Sequence, residues 1–155
     1  MKIKRWRAGF SLIELLIVIA IILIIASIAV PKLIQTRMAA YEMASIRTLH
    51  TINTAQVQYF STYGRYANSL AELGPMPGQQ TPSAAAADLS PSDLAMGIKS
   101  GYVFTMVGTA AGYTVNADPQ KYNVTGSRSF YTDHTIVIRY HVGEGSASET
   151  DQEIQ

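Results

Sequence analysis

The chain has 155 residues, 12 basic and 11 acidic, for a formal net charge of +1, and no cysteine. That length suits one ordinary domain plus an anchor rather than two domains. The missing thiols exclude disulfides, thiolate catalysis and cysteine-based metal sites, without fixing the compartment.

The charge is unevenly placed. Lys2, Lys4, Arg5 and Arg7 all precede Phe10, and removing them leaves 8 basic against 11 acidic residues, a net −3. A mildly acidic product of that kind argues against binding nucleic acid by bulk charge.

After this basic start, Gly9-Phe10-Ser11-Leu12-Ile13-Glu14 opens onto a run from Leu15 to Val30 that carries no charge. Phe10 to Pro31 has the length of a membrane span, because about 20 helical residues rising ~1.5 Å each cover a ~30 Å hydrocarbon core. The positive-inside bias puts residues 1–9 in the cytoplasm and the remainder outside. Glu14 is the exception within the apolar stretch. Ionisable side chains at a helix centre cost roughly 2.5–3.5 kcal/mol on insertion scales, so a retained carboxylate calls for a partner or a task.

Three readings of this segment compete. An ordinary secretory signal would be cut after Ser27-Ile28-Ala29, leaving Val30 as the new N-terminus. A plain single-span anchor accounts for the hydrophobicity but not for Glu14, unless that side chain snorkels to the headgroups. The third reading accounts for leader, Gly9, Glu14 and Pro31 together: the N-terminus resembles those of type IV pilins and type II secretion pseudopilins.

That resemblance implies a cut by a membrane prepilin peptidase between Gly9 and Phe10, with N-methylation of the new amine of Phe10. The apolar segment would then be kept, first as inner-membrane anchor and later as filament core. Glu14 would be the recognition and assembly carboxylate, meeting the amine of Phe10 on a neighbouring identical subunit. An inner-membrane assembly platform driven by a cytoplasmic ATPase would be the further partner. The head would lie in the periplasm before assembly, and on a pilus or a periplasmic pseudopilus afterwards. No cofactor is implied.

Pro31 lacks a backbone donor and clashes with the carbonyl four residues earlier, so a kink is expected there. Beyond it the helical spacing persists. Ile34, Met38, Tyr41, Ser45, Leu49, Ile52, Gln56, Tyr59, Phe60 and Tyr63 share one stripe, with Arg47, Thr51, Thr54, Gln58 and Ser61 opposite. Gly64 suits the helix stop. One helix from Phe10 to Tyr63 is expected, its half at 10–31 apolar and its half at 32–64 amphipathic.

Residues 65–100, with Pro75, Pro77, Pro82 and Pro91, read as a long variable loop, with one short helical turn through Ala84–Ala87. From Gly101 to 142 the pattern becomes strand-like: Tyr102–Val107, Tyr113–Ala117, Arg128–Thr132 and Ile136–His141. A four-stranded antiparallel meander follows, with 143–155 a polar, frayed C-terminal tail. Gly101-Tyr102-x-Phe104, Gly112-Tyr113 and Ala117-x-Pro119 also resemble the heads of pilins and pseudopilins. The expected fold class is therefore α+β and pilin-like, the distal half of a long kinked helix packed on a small antiparallel sheet.

Candidate chemistry is sparse. His50, His134 and His141 show no metal-ligand spacing, and Ser, His and Asp occur without a motif that would make them a triad. Asp118 and Asp133 are the acidic residues near the C-terminal strands, too few to assign a calcium site that needs six or more oxygens. Asn123-Val124-Thr125 fits a glycosylation sequon to which no role is given. No metal or catalytic residue is assigned.

The leading expectation is a structural subunit of a type IV pilus. The major-type pseudopilin of a type II secretion system is the alternative, and a membrane-anchored periplasmic binding protein is the rival from another class.

Overall fold

The structure, a computed structural model, describes residues 10–154 apart from 77, 79, 80 and 110. The leader 1–9, and with it Gly9, lies outside the described residues. The chain divides into two units, 1–36 and 37–155.

Helix α1, Leu12–Tyr63, runs through both units and is continuous through Pro31. Pro31 supplies no N–H to the carbonyl of Ser27, so one rung of the ladder is missing there. The helix stops where expected. Gly64 takes φ +71°, and its N–H closes on the carbonyl of Phe60 at 2.8 Å. A left-handed glycine ends a helix without a Cβ penalty.

In the first unit the α1 residues lie almost wholly open to solvent, as a helix that is apolar all round must when it has no partner. In the second unit the helix buries Glu42, Ser45, Thr48, Leu49, Ile52, Asn53, Ala55, Gln56 and Tyr59. Leu49, Ile52 and Tyr59 are fully buried, each side chain of this kind contributing about 1.5–3 kcal/mol. The expected stripe is displaced at its ends: Ile34 and Phe60 are 46% exposed. Glu42, Thr48 and Asn53 are buried instead: Glu42 and Asn53 bond to polar atoms of the sheet, and the Thr48 hydroxyl donates to the Ala44 carbonyl of its own helix.

The second layer is one antiparallel six-stranded sheet in sequence order: β1 Ile98–Lys99, β2 Tyr102–Thr109, β3 Gly112–Pro119, β4 Arg128–Asp133, β5 Ile138–Val142 and β6 Gln152–Glu153. Tyr102, Phe104 and Met106 of β2 face the helix with Tyr113, Val115 and Ala117 of β3 and Phe130 of β4. Between α1 and the sheet run α2, Leu70–Leu73, and α3, Ser92–Ala95, so the expected loop at 65–100 contains two short helices and a strand. Its alanines form no helical turn. Ser83 and Ala86 exchange backbone hydrogen bonds at 3.0 Å, a closed bridge between the prolines and α3.

Two further expectations are corrected. The last long strand starts at Ile138 rather than Ile136, because the turn after Asp133 uses Ile136 at φ +68°. The C-terminal segment is not frayed. It crosses the outer face of the sheet, where Asn116 Nδ2 donates to the Ala147 carbonyl at 2.7 Å and Ser129 Oγ to the Gly145 carbonyl at 2.8 Å. The segment then adds β6 to β5, pairing Tyr140 with Gln152. Ser129 and Tyr131, on the outer side of β4, are buried in consequence. Polar composition suggested a loose end, but polar side chains on β3 and β4 supply its partners.

Candidate assembly site

The N-terminal turn of α1 is built around Ser11 and Glu14. The helix begins at Leu12, so Ser11 is the N-cap and Glu14 the third helical residue. Glu14 Oε2 accepts the backbone N–H of Ser11 at 2.9 Å. This is the carboxylate half of a capping box, and it satisfies one of the donors a helix start leaves free. An acidic group in the first turn also complements the positive end of the helix dipole. The Ser-x-x-Glu spacing was present in the sequence as a signal for this cap.

Around that carboxylate the surface is apolar on every side. Phe10 is 81% exposed, and Leu12, Ile13, Leu15, Leu16, Ile17 and Val18 are all uncovered. The most apolar window of α1 has mean hydropathy 3.2 and no buried residue, so this helix is long and apolar enough to cross a membrane. Contiguous apolar surface on this scale marks contact with lipid or with protein. Phe10, Glu14 and Pro31 thus lie on one exposed segment, while the expected cleavage partner Gly9 lies outside the described residues.

The second unit has its own charged centre, which the sequence reading missed. Glu42, 5% exposed, accepts from Ser127 N and Ser127 Oγ at 2.9 Å each and from Arg128 Nε at 2.9 Å, with Arg128 Nη2 at 2.7 Å. Burial pushes its carboxyl up, but the bonds from Ser127 and Arg128 outweigh this and hold it below the usual range. The Arg128 guanidinium also lies over the rings of Phe130 and Tyr140. Nearby, Gly126 is packed against the Tyr102 hydroxyl so closely that any Cβ would collide with it. Two amides complete the helix–sheet seam. Asn53 links Thr132 and Tyr113, and Gln56 bonds both the N–H and the carbonyl of Ala67.

The remaining candidates stay apart. Asp118 lines a hollow of about 230 Å³ with Tyr122, Gly143 and Glu144. Asp133 lines a separate hollow of about 200 Å³ with His134 and Glu149, and its carboxylate is taken up by Thr135. His141 Nδ1 lies 3.1 Å from Asp151, and His50 lines a third hollow with Ile136. Among the described residues no group of three or more His, Asp or Glu could hold a metal ion. Asn123 of the sequon is exposed on a turn at φ +58°.

Residues 7–30 match the prokaryotic N-terminal methylation motif. The type IV major pilin protein PilA of Myxococcus xanthus (strain DK1622) is 38% identical over 77 residues, 48% of this chain and 35% of that protein. The chain thus spans about a third of the length of the relative it matches. No solved structure matches the chain. The methylation motif, the similarity to a major pilin and the long helix with an antiparallel sheet agree: the chain resembles the type IV pilin family.

Proposed function

We propose that this protein is a structural subunit, a prepilin cut between Gly9 and Phe10, methylated at Phe10 and polymerised from the inner membrane into a type IV pilus. The observation that carries this reading is the stem itself. A carboxylate stands at the start of a helix whose apolar residues find no partner in their own unit. Such a surface is stable only in lipid or among copies of itself, and lipid gives Glu14 no counter-charge. A neighbouring amine would supply one. Moving the stem from lipid to a bundle gains little hydrophobic energy, so packing and the Glu14 pairing must set the register. Pro31, with its missing backbone donor, is the place where the stem would bend or open as it leaves the membrane. The matched relative is named a major pilin, which favours a pilus over a secretion pseudopilus. The role is structural rather than catalytic.

Replacing Glu14 with Ala tests this. Losing one partner of a buried pair costs ~3–5 kcal/mol, more than a hundredfold in each subunit's association. Electron microscopy of cells carrying E14A should show at least about a tenfold loss of filaments, with the protein still present in the membrane fraction. Filaments at the parental level would contradict the proposal.

A further inference from the structure

We infer that Lys32 and Arg37 grip the phosphates of anionic phospholipids where α1 leaves the membrane, and so fix the depth of the stem before assembly. The inference rests on the membrane-anchored part of the proposed function and names the partner of these two cations.

Both side chains are exposed, and among the described residues neither forms an ion pair. The chain itself offers them little. No acidic residue stands between Glu14 and Glu42, and Glu42 is already taken by Ser127 and Arg128. Glu14 caps the far end of the apolar run. The counter-charge for both cations therefore lies outside the chain.

Their place and direction fit a headgroup layer. Lys32 directly follows Pro31, and Arg37 comes five residues later on the same helix. Five helical residues rise ~7.5 Å, close to the ~5–7.5 Å depth of the headgroup region on one side of a bilayer. The Cα–Cβ bonds of a helix tilt towards its N-terminus. In a helix running outward from the membrane, both side chains therefore lean back towards it. Long cationic side chains near the end of a span reach the interface in this way. Around the helix axis the two residues stand about 140° apart. A groove on a single protein partner would meet one of them and miss the other. Headgroups surround the helix and meet both, and a cation near an anionic lipid surface is favoured by about fivefold.

The grip also fixes the other end of the stem. Glu14 and Lys32 are separated by ~27 Å of helical rise, close to the ~30 Å of hydrocarbon. Lys32 held at the outer headgroups thus keeps Glu14, and with it Phe10, at the cytoplasmic boundary of the same layer.

The test uses the full chain with Gln35→Cys as its only thiol. It is reconstituted in vesicles of phosphatidylcholine alone, or of phosphatidylcholine mixed with phosphatidylglycerol. An uncharged, membrane-impermeant maleimide then reads the depth of position 35. At low salt the thiol should react at least about fivefold more slowly in the phosphatidylglycerol vesicles. Lys32→Glu combined with Arg37→Glu should abolish that difference, and so should high salt. Arg47→Glu should preserve it. Arg47 is also exposed and without an ion pair, but it lies ~15 Å further along the helix than Arg37, beyond a Debye length of ~8–10 Å. Equal rates in the two kinds of vesicle, or a double variant that reacts like the parent, would overturn the lipid contact and leave the anchor standing. A chain that fails to float with vesicles of either composition would overturn both.

Discussion

Glu42 cross-links the second unit through an ion pair. It ties the helix to residues 85 and 86 positions away, in a chain that contains no cysteine. Its folded-state carboxyl sits below its ordinary value of 4.5. A depressed carboxyl stabilises the fold above its unfolded value, and that stability is lost as pH falls from about 4.5 through the folded value. Glu72, held by Asn68, Arg65 and Tyr59, acts in the same direction. Replacing Glu42 with Gln should lower stability by about 2–3 kcal/mol, under the ~3–5 for a fully buried pair because Arg128 keeps access to water. Thermal melts of the full chain in detergent between pH 7 and 3 would check this. The variant should melt lower at pH 7 and lose less on acidification than the parent. An unchanged melting temperature at pH 7 would remove Glu42 from this role.

At the scale of elements, the C-terminal segment carries the clearest test. It covers β4 through Asn116, Ser129, Arg139 and His141, and it ends by pairing Ile154 N with the Ile138 carbonyl at 2.9 Å. These five bonds are worth ~0.5–1.5 kcal/mol net each, and being only part-buried they fall near the lower figure, so truncation after Gly143 should cost about 2.5 kcal/mol. That corresponds to a fall of roughly 5–10 °C in the melting temperature. A truncated chain that melts like the parent would mean the segment is an ornament.

The same element shows where sequence reasoning runs out. The helix was legible from spacing, and its end from Gly64, because both signals are local. The β2–β3 hairpin was legible for the same reason. The polar tail, the short edge strands and the Glu42–Arg128 pair depend on partners far along the chain. Alternation within a window carries no trace of such partners. The displaced stripe on α1 is a related case. Spacing gives the angle of Asn53 and Gln56 on the helix, but only Thr132, Tyr113 and Ala67 make their burial favourable. Of the assembly site, Glu14 stood out because it breaks an uncharged run, whereas its bond to Ser11 needed coordinates.

At the scale of the whole molecule, two units divide the work. The stem presents apolar side chains and one carboxylate; the second unit is self-sufficient, with a core closed by Leu49, Ile52, Tyr59, Tyr102 and Phe130. Alone in water the stem stabilises nothing, so the proposed filament role requires that it be kept. Retention of the stem, with a newly exposed amine able to reach Glu14 on a neighbour, is therefore the central claim. Mass spectrometry of the protein sheared from cells measures it directly. The account predicts a chain that starts at Phe10 and carries one extra methyl group on its terminal nitrogen. A chain that starts at Val30, or one that keeps Met1 to Gly9, would contradict it.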